Sequence, residues 1–200
     1  MTHYELPKKK YKIIYADPPW KYGGGENHNF EGLAVDQYPV MTKKEICEMP
    51  VRQITSDDGA VLFLWVTPPQ LETGFDVMRA WGFRYRTIGF TWVKLNNDGS
   101  PFFGLGFWTH SNAEHCLIGT SGKNYPRRID KTISSVVMTK KMKHSKKPPE
   151  VRDKIVRLVG DLPRIELFAR EKTQGWDVWG NEVDDEVDAV YECGEWKKGD

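Results

Sequence analysis

The chain has 200 residues, with 29 lysines and arginines against 28 aspartates and glutamates and a formal net charge of +1. That balance excludes an overall basic footprint, so any nucleic-acid signal must be local. Hydrophobic residues make up 39% and charged residues 28%, an ordinary globular composition with length for one domain, over 1–200, and a sizeable core.

Cys47, Cys116 and Cys193 are widely spaced and form neither a C-x-x-C pair nor an even framework, which suits a reducing cytosol. No apolar run is long enough to cross a bilayer. His110, His115 and Cys116 lack a second ligand pair, so no metal is expected.

Residues 1–10 are a short basic lead ending Lys8-Lys9-Lys10. Lys12 to Ala16 is rich in β-branched and aromatic residues and reads as a short buried strand. It stops at Asp17-Pro18-Pro19-Trp20. Each proline fixes its own φ, lacks an N–H and disfavours the helical region for the residue before it. The result is a stiff corner carrying a carboxylate, carbonyls without competing local donors, and a large aromatic plate. Asp17 is acceptor-only when ionised. With the Pro18 carbonyl beside it and Trp20 as a stacking face, the corner suits a flat ring bearing an exocyclic amine. Two acceptors drawing on the amine's hydrogens would help a delocalised nitrogen rehybridise. A strand-ending turn with a core tryptophan is the other reading of the same residues.

Residues 21–40 are polar, glycine-rich and aperiodic, and read as a lid or substrate loop. Tyr22 and Tyr38 on it are placed to close over a base. Thr42-Lys43-Lys44-Glu45 has the spacing of a capping box and opens a helix through about Met49. Ala60 to Val66 is a continuous apolar strand of the parallel-sheet type. Leu71, Phe75 and Met78 put an apolar stripe on a helix over about 68–81, with Gly82 as its stop. Tyr85 to Lys94 is a strand; 95–112 is a loop bearing Phe102, Phe103, Phe107 and Trp108; Glu114 to Gly119 is the next strand.

Thr120 to Lys131 is a basic loop with Arg127 and Arg128, followed by a candidate strand at Ile133 to Met138 and a lysine-dense stretch through Lys147. This set is either a solvated face or a phosphate-contacting stripe. Pro148-Pro149-Glu150 starts a helix that Gly160 ends. Arg164 to Phe168 is a last clear strand. Residues 169–182 are polar, and from Val183 the acidic tail is expected to be loosely packed.

Strands alternating with helices predict an α/β fold with a parallel or mixed sheet. Ligands then collect at strand carboxyl ends near a switch in strand order. Asp17, Lys94 and the turn after Phe168 all fall at strand ends. No G-x-G-x-x-G follows a strand, and Gly119-Thr120-Ser121-Gly122-Lys123 lacks P-loop spacing, which weakens kinase and dinucleotide-enzyme readings.

Several motifs occur in one order: Ala16-Asp17-Pro18-Pro19-Trp20, Trp92-Val93-Lys94, Glu114 to Gly119, Ser145-Lys146-Lys147-Pro148, Glu166-Leu167-Phe168-Ala169-Arg170, and Gly175-Trp176 with Trp179-Gly180-Asn181-Glu182. In these the chain resembles the MT-A70-like N6-adenine methyltransferases, over nearly its whole length. The resemblance implies a Rossmann-like methyltransferase fold, a mostly parallel central sheet flanked by helices, with the catalytic motif before the cofactor motif. It implies S-adenosylmethionine as cofactor. Glu166 would bind the cofactor ribose, with Arg170, Asn181 and Glu182 completing that site, and Lys147 would pair the methionine carboxylate.

By the same resemblance Asp17 and Pro18, stiffened by Pro19, would hold the target N6, with Trp20 on the base. Glu114 would line the target pocket. Tyr22 on its loop, Lys94 at its strand end and Arg127 and Arg128 on the basic loop are read from their places in the chain as further substrate contacts. Ala169 stands where many members have glycine. The compact chain resembles bacterial or phage-type members, which favours DNA as the nucleic-acid partner and a cytoplasmic setting, with a homodimer as a possible assembly. RNA adenine methylation, cytosine N4 methylation and a non-catalytic nucleic-acid-binding subunit stand as alternatives.

Overall fold

The computed structural model describes residues 4–21, 40–104, 106, 108–141, 146–180 and 183, with the backbone of 189–192 and 195–198. Strands Ile13–Ala16 (β1) and Gly59–Val66 (β2) are buried along their whole length. This is why they read as unbroken apolar runs: both faces of a central parallel strand are covered. They pair in parallel, Ile13 opposite Val61 through Ala16 opposite Leu64.

Arg84–Leu95 (β3), Ala113–Gly122 (β4), Val136–Lys140 (β5), Arg164–Leu167 (β6) and Asp177–Trp179 (β7) complete a seven-stranded sheet in the order β5-β3-β4-β2-β1-β6-β7. β4 is antiparallel to both its neighbours; the other pairings are parallel. The carboxyl ends of the parallel strands therefore share one rim with the amino end of β4. β1 lies between β2, the next strand in the chain, and β6, reached much later. Strand order thus reverses at β1, and the crevice outside its carboxyl end is where such sheets take ligands. That crevice opens at Asp17.

One sheet face packs helices Lys43–Glu48 (α1), Val51–Ile54 (α2) and Leu71–Ala80 (α3), through Ile46, Val51, Ile54, Val77 and Met78. The other packs Glu150–Val159 (α4), through Val151, Ile155 and Val159, with Trp176. Thr42 and Glu45 form the expected capping box. Gly160, at φ 99°, ends α4 in a conformation only glycine adopts freely. Because α4 returns the chain from β5 to β6, its first turn faces the rim that holds Asp17.

Several boundaries differ from expectation. The helix over 68–81 starts as a 3-10 turn, Pro68–Gln70, before α3. Neither proline has an N–H, and Gln70 N–H donates to the Thr67 carbonyl at 2.9 Å. α2 was not expected; it follows Pro50, which suits a first helical turn. β5 lies later than Ile133 to Met138, since pairing with Thr91–Leu95 of β3 sets its register. The three-residue β7 is too short to leave a periodic pattern. Within the acidic tail, Ala189–Glu192 (β8) pairs antiparallel with Glu195–Lys198 (β9).

Candidate active site

The corner after β1 is held at both prolines. The Pro18 carbonyl accepts the Trp20 N–H at 2.9 Å, and the Pro19 carbonyl accepts the Met41 N–H at 2.8 Å. This corrects the expectation of carbonyls free of local donors; one lone pair of the Pro18 oxygen is already used. Trp20 differs more. The residue is 6% exposed, in one core with Ile46 of α1 and Val77 and Met78 of α3, and its Nε1–H donates to the Trp65 carbonyl at 3.1 Å.

The structure thus places Trp20 in the core with its indole N–H already engaged, where the sequence predicts a plate for a base. Trp20→Phe is expected to cost about 1–3 kcal/mol through the lost volume and the orphaned carbonyl. That lowers the thermal midpoint by roughly 2–4 °C per kcal/mol. A variant with an unchanged midpoint and a raised substrate KM would restore the stacking role.

Above the corner lies a row of alternating charges. Lys147 Nζ donates to Asp17 Oδ2 at 2.6 Å and sits 3.2 Å from Glu114 Oε2. Lys94 pairs with the other oxygen, Oε1, of Glu114. The row lies over two indoles, with Lys147 5.7 Å from the Trp65 ring centre and Lys94 5.1 Å from that of Trp92. Glu114 is 8% exposed at its side chain and Lys147 10%, against 20% for Asp17. Asp17 is thus the carboxylate a ligand can reach.

Burial pushes the Asp17 carboxyl above its ordinary range; Lys147 opposes this and Glu114 adds to it. Burial also pushes Glu114 up, but the ammonium groups of Lys147 and Lys94 outweigh it and hold this carboxyl below the usual range. Burial lowers Lys147, yet its two carboxylates prevail and it stays firmly protonated.

At the end of β6, Glu166 is clasped by Arg152 of α4, Nε to Oε2 at 2.6 Å and Nη2 to Oε1 at 2.8 Å. Both residues are buried. A fork uses one lone pair on each carboxylate oxygen. Burial still raises the Glu166 carboxyl despite Arg152. Nearby, Trp65 Nε1–H donates to the Tyr15 hydroxyl at 2.7 Å, and Glu171 takes Lys146 at 2.6 Å and Arg152 at 3.6 Å.

The chain leaves β6 through Phe168, at φ 62°, a left-handed conformation strained by roughly 1–3 kcal/mol for such a residue. Ala169 N–H donates to the Trp179 carbonyl at 3.0 Å. A Cβ on Gly180 would lie 2.3 Å from the Ala169 carbonyl, so the turns after β6 and β7 meet backbone to backbone.

Arg152, Tyr15, Trp65 and Trp92 were not singled out from sequence as site residues. For Arg152 a signal existed: it stands three residues before Ile155 and seven before Val159, on the apolar stripe of α4. Arg127 and Arg128 are not brought to the site. Asn124 N–H bonds the Asp58 carbonyl and Ile129 N–H bonds that of Leu158, which ties their loop to the opposite rim. The length of β4, roughly 30 Å, separates the two. The antiparallel course of β4 sends the chain there. Tyr22, Tyr38, Asn181 and Glu182 lie outside the described residues.

The profile of the MT-A70 family matches residues 11–182, from just before β1 to just after β7. The chain belongs to the MT-A70 family. Among its relatives, Type II methyltransferase M.MunI of Mycoplasma sp is 36% identical over 196 residues, covering 90% of this chain and 81% of its own. The N(6)-adenosine-methyltransferase MT-A70-like protein of Drosophila melanogaster is 30% identical, covering 88% of this chain but 27% of its own. The N(6)-adenosine-methyltransferase catalytic subunit METTL3 of Homo sapiens is 30% identical, with 88% and 28% covered. The chain thus spans most of the M.MunI length and about a quarter of the other two.

The MT-A70 match contains Asp17, Lys94, Glu114, Lys147, Arg152 and Glu166. MT-A70 methyltransferases in general use S-adenosylmethionine. Among the described residues no helix is long and apolar enough to cross a membrane.

Proposed function

We propose that this MT-A70 methyltransferase transfers a methyl group from S-adenosylmethionine to N6 of adenine in DNA. The observation that carries the reading is Asp17: a partly exposed carboxylate on a double-proline corner, at the strand-order switch, backed by a buried ammonium. A base inside a duplex cannot reach such a crevice, so the adenine is turned out of its stack. Asp17 accepts one amino hydrogen, and the remaining lone pair of the Pro18 carbonyl accepts the other. Together they orient N6, and the Asp17 carboxylate takes up the proton that the alkylated amine sheds. Positioning and exclusion of water carry the chemistry.

The residues at the rim fit the cofactor. When bound, S-adenosylmethionine supplies a methyl group on a sulfonium centre. Lys147 would face its carboxylate. Glu166 retains a lone pair on each oxygen for ribose hydroxyls, and Arg152 orients it and opposes the effect of burial. Arg170, Asn181 and Glu182 would complete the contacts, and the close backbone approach of Gly180 to Ala169 shapes the turn they flank. Trp65 and Trp92 form the floor.

DNA is preferred because the relative matched over most of its length is a type II methyltransferase. RNA is the second reading, favoured by the relatives named as N(6)-adenosine-methyltransferases. The test is the purified chain with methyl-labelled S-adenosylmethionine and matched DNA and RNA of mixed sequence, followed by nucleoside mass spectrometry. Label in N6-methyldeoxyadenosine is expected. Label in RNA alone selects the second reading, and label in N4-methylcytosine, or none, overturns both.

A further inference from the structure

We infer that Lys94 is a positioning residue: acting through Glu114, it holds the Lys147 ammonium against Asp17. Lys94 lies on β3, separated from β1 by β4 and β2, and touches neither Asp17 nor Lys147 among the described contacts. Its partner Glu114 has two oxygens and divides them, Oε1 to Lys94 and Oε2 to Lys147. Lys147 sits nearer Asp17, at 2.6 Å, than Glu114, at 3.2 Å. That asymmetry follows from Lys94. A Glu114 already neutralised from one side pulls weakly on the ammonium at its other side. Without Lys94, Glu114 would rest on Lys147 alone, drawing that ammonium from Asp17 and leaving its own excess charge to repel Asp17. Buried charges left in excess in this way act strongly on their neighbours.

The ammonium of Lys94 lies over the Trp92 ring and that of Lys147 over the Trp65 ring, and the two indoles meet edge to face at 6.5 Å. The floor therefore fixes the spacing of the two cations. Other groups also act on Asp17: Cys116 and Glu114 face it from β4, Glu166 from β6, Arg170 from the turn beyond, and Lys147 from the approach to α4. Arg152 offsets Glu166, and His115 acts on Glu114. Lys94 is the cation that sets the charge of Glu114 without touching Asp17.

The inference rests on Asp17 orienting the target amine, so its test is made independent of turnover. The Asp17 carboxyl is titrated by carbon NMR in the full chain, assigned by difference against Asp17→Asn. Lys94→Met removes the charge at nearly constant side-chain length and is expected to raise the Asp17 midpoint by about one pH unit, a tenfold change in its ionised fraction. Glu114→Gln lowers it, Lys94→Arg leaves it where the unmodified chain has it, and the double Lys94→Met/Glu114→Gln variant titrates like Glu114→Gln alone.

The acid limb of kcat on DNA moves with the same order and sign. An unmoved midpoint in Lys94→Met overturns the inference, as does failure of Lys94→Arg to preserve it or an equal shift from Lys94→Met in the Glu114→Gln background. Absence of N6-methyladenine with the titration order intact would instead fail the assigned reaction and leave the positioning role standing.

Discussion

Asp17→Ala lowers methyl transfer by about 10²- to 10³-fold or more, the range seen when one preorganised group at a developing charge is removed. The cofactor dissociation constant, read by calorimetry, changes little. The two readouts separate because Asp17 serves the amine, while the proposed cofactor contacts lie at Lys147 and beyond β6. The variant is interpretable because Lys147 is not left bare: Glu114 remains 3.2 Å away as its counter-ion. Asp17→Asn is expected to be nearly as inactive, since it presents an amide donor to a donor amine. Turnover near the unmodified rate in either variant would remove Asp17 from the chemistry.

Arg152→Met destabilises the fold by about 3–5 kcal/mol, because Glu166 is left as a buried carboxylate with its fork removed. For a chain of this size that lowers the thermal midpoint by roughly 2–4 °C per kcal/mol. The pH dependence has a definite sign. Burial already raises the folded Glu166 carboxyl above its unfolded value, and loss of Arg152 raises it further. The folded state then holds a proton that the unfolded state has released, so stability falls as pH rises through the window between those two values. Arg152→Met is therefore expected to be most nearly normal at acid pH and to lose stability towards neutrality. Adding Glu166→Gln should recover much of the loss at neutral pH. Thermal melts across the pH range read both effects, and a midpoint independent of pH would show that the pair is not the source of the cost.

The apolar runs 13–16 and 60–66, the capping box at Thr42 and the stop at Gly160 were legible because each depends on neighbours in the chain. So was the family, because its motifs follow one another over most of the length. Trp20 was not legible. A tryptophan after two prolines serves equally as a plate or a wedge, and only its burial in one core with α1 and α3 tells the two apart. Arg127 and Arg128 looked like substrate contacts because charge is visible in sequence and direction is not. The antiparallel course of β4 carries them to the opposite rim.

The Asp17-Pro18-Pro19-Trp20 corner was determined by sequence alone, since two prolines after a buried strand restrict the backbone wherever they occur. Its electrostatic setting was decided by tertiary structure. Lys147, Glu114 and Lys94 are far from Asp17 in the chain and from one another, and each has an ordinary surface reading by itself. Parallel pairing of β1 with β2 and β6, the insertion of β4 and the return of α4 bring them within contact distance. There, burial strengthens each charge on its neighbour, and the carboxylate of the corner acquires both a counter-ion and a reason for its position.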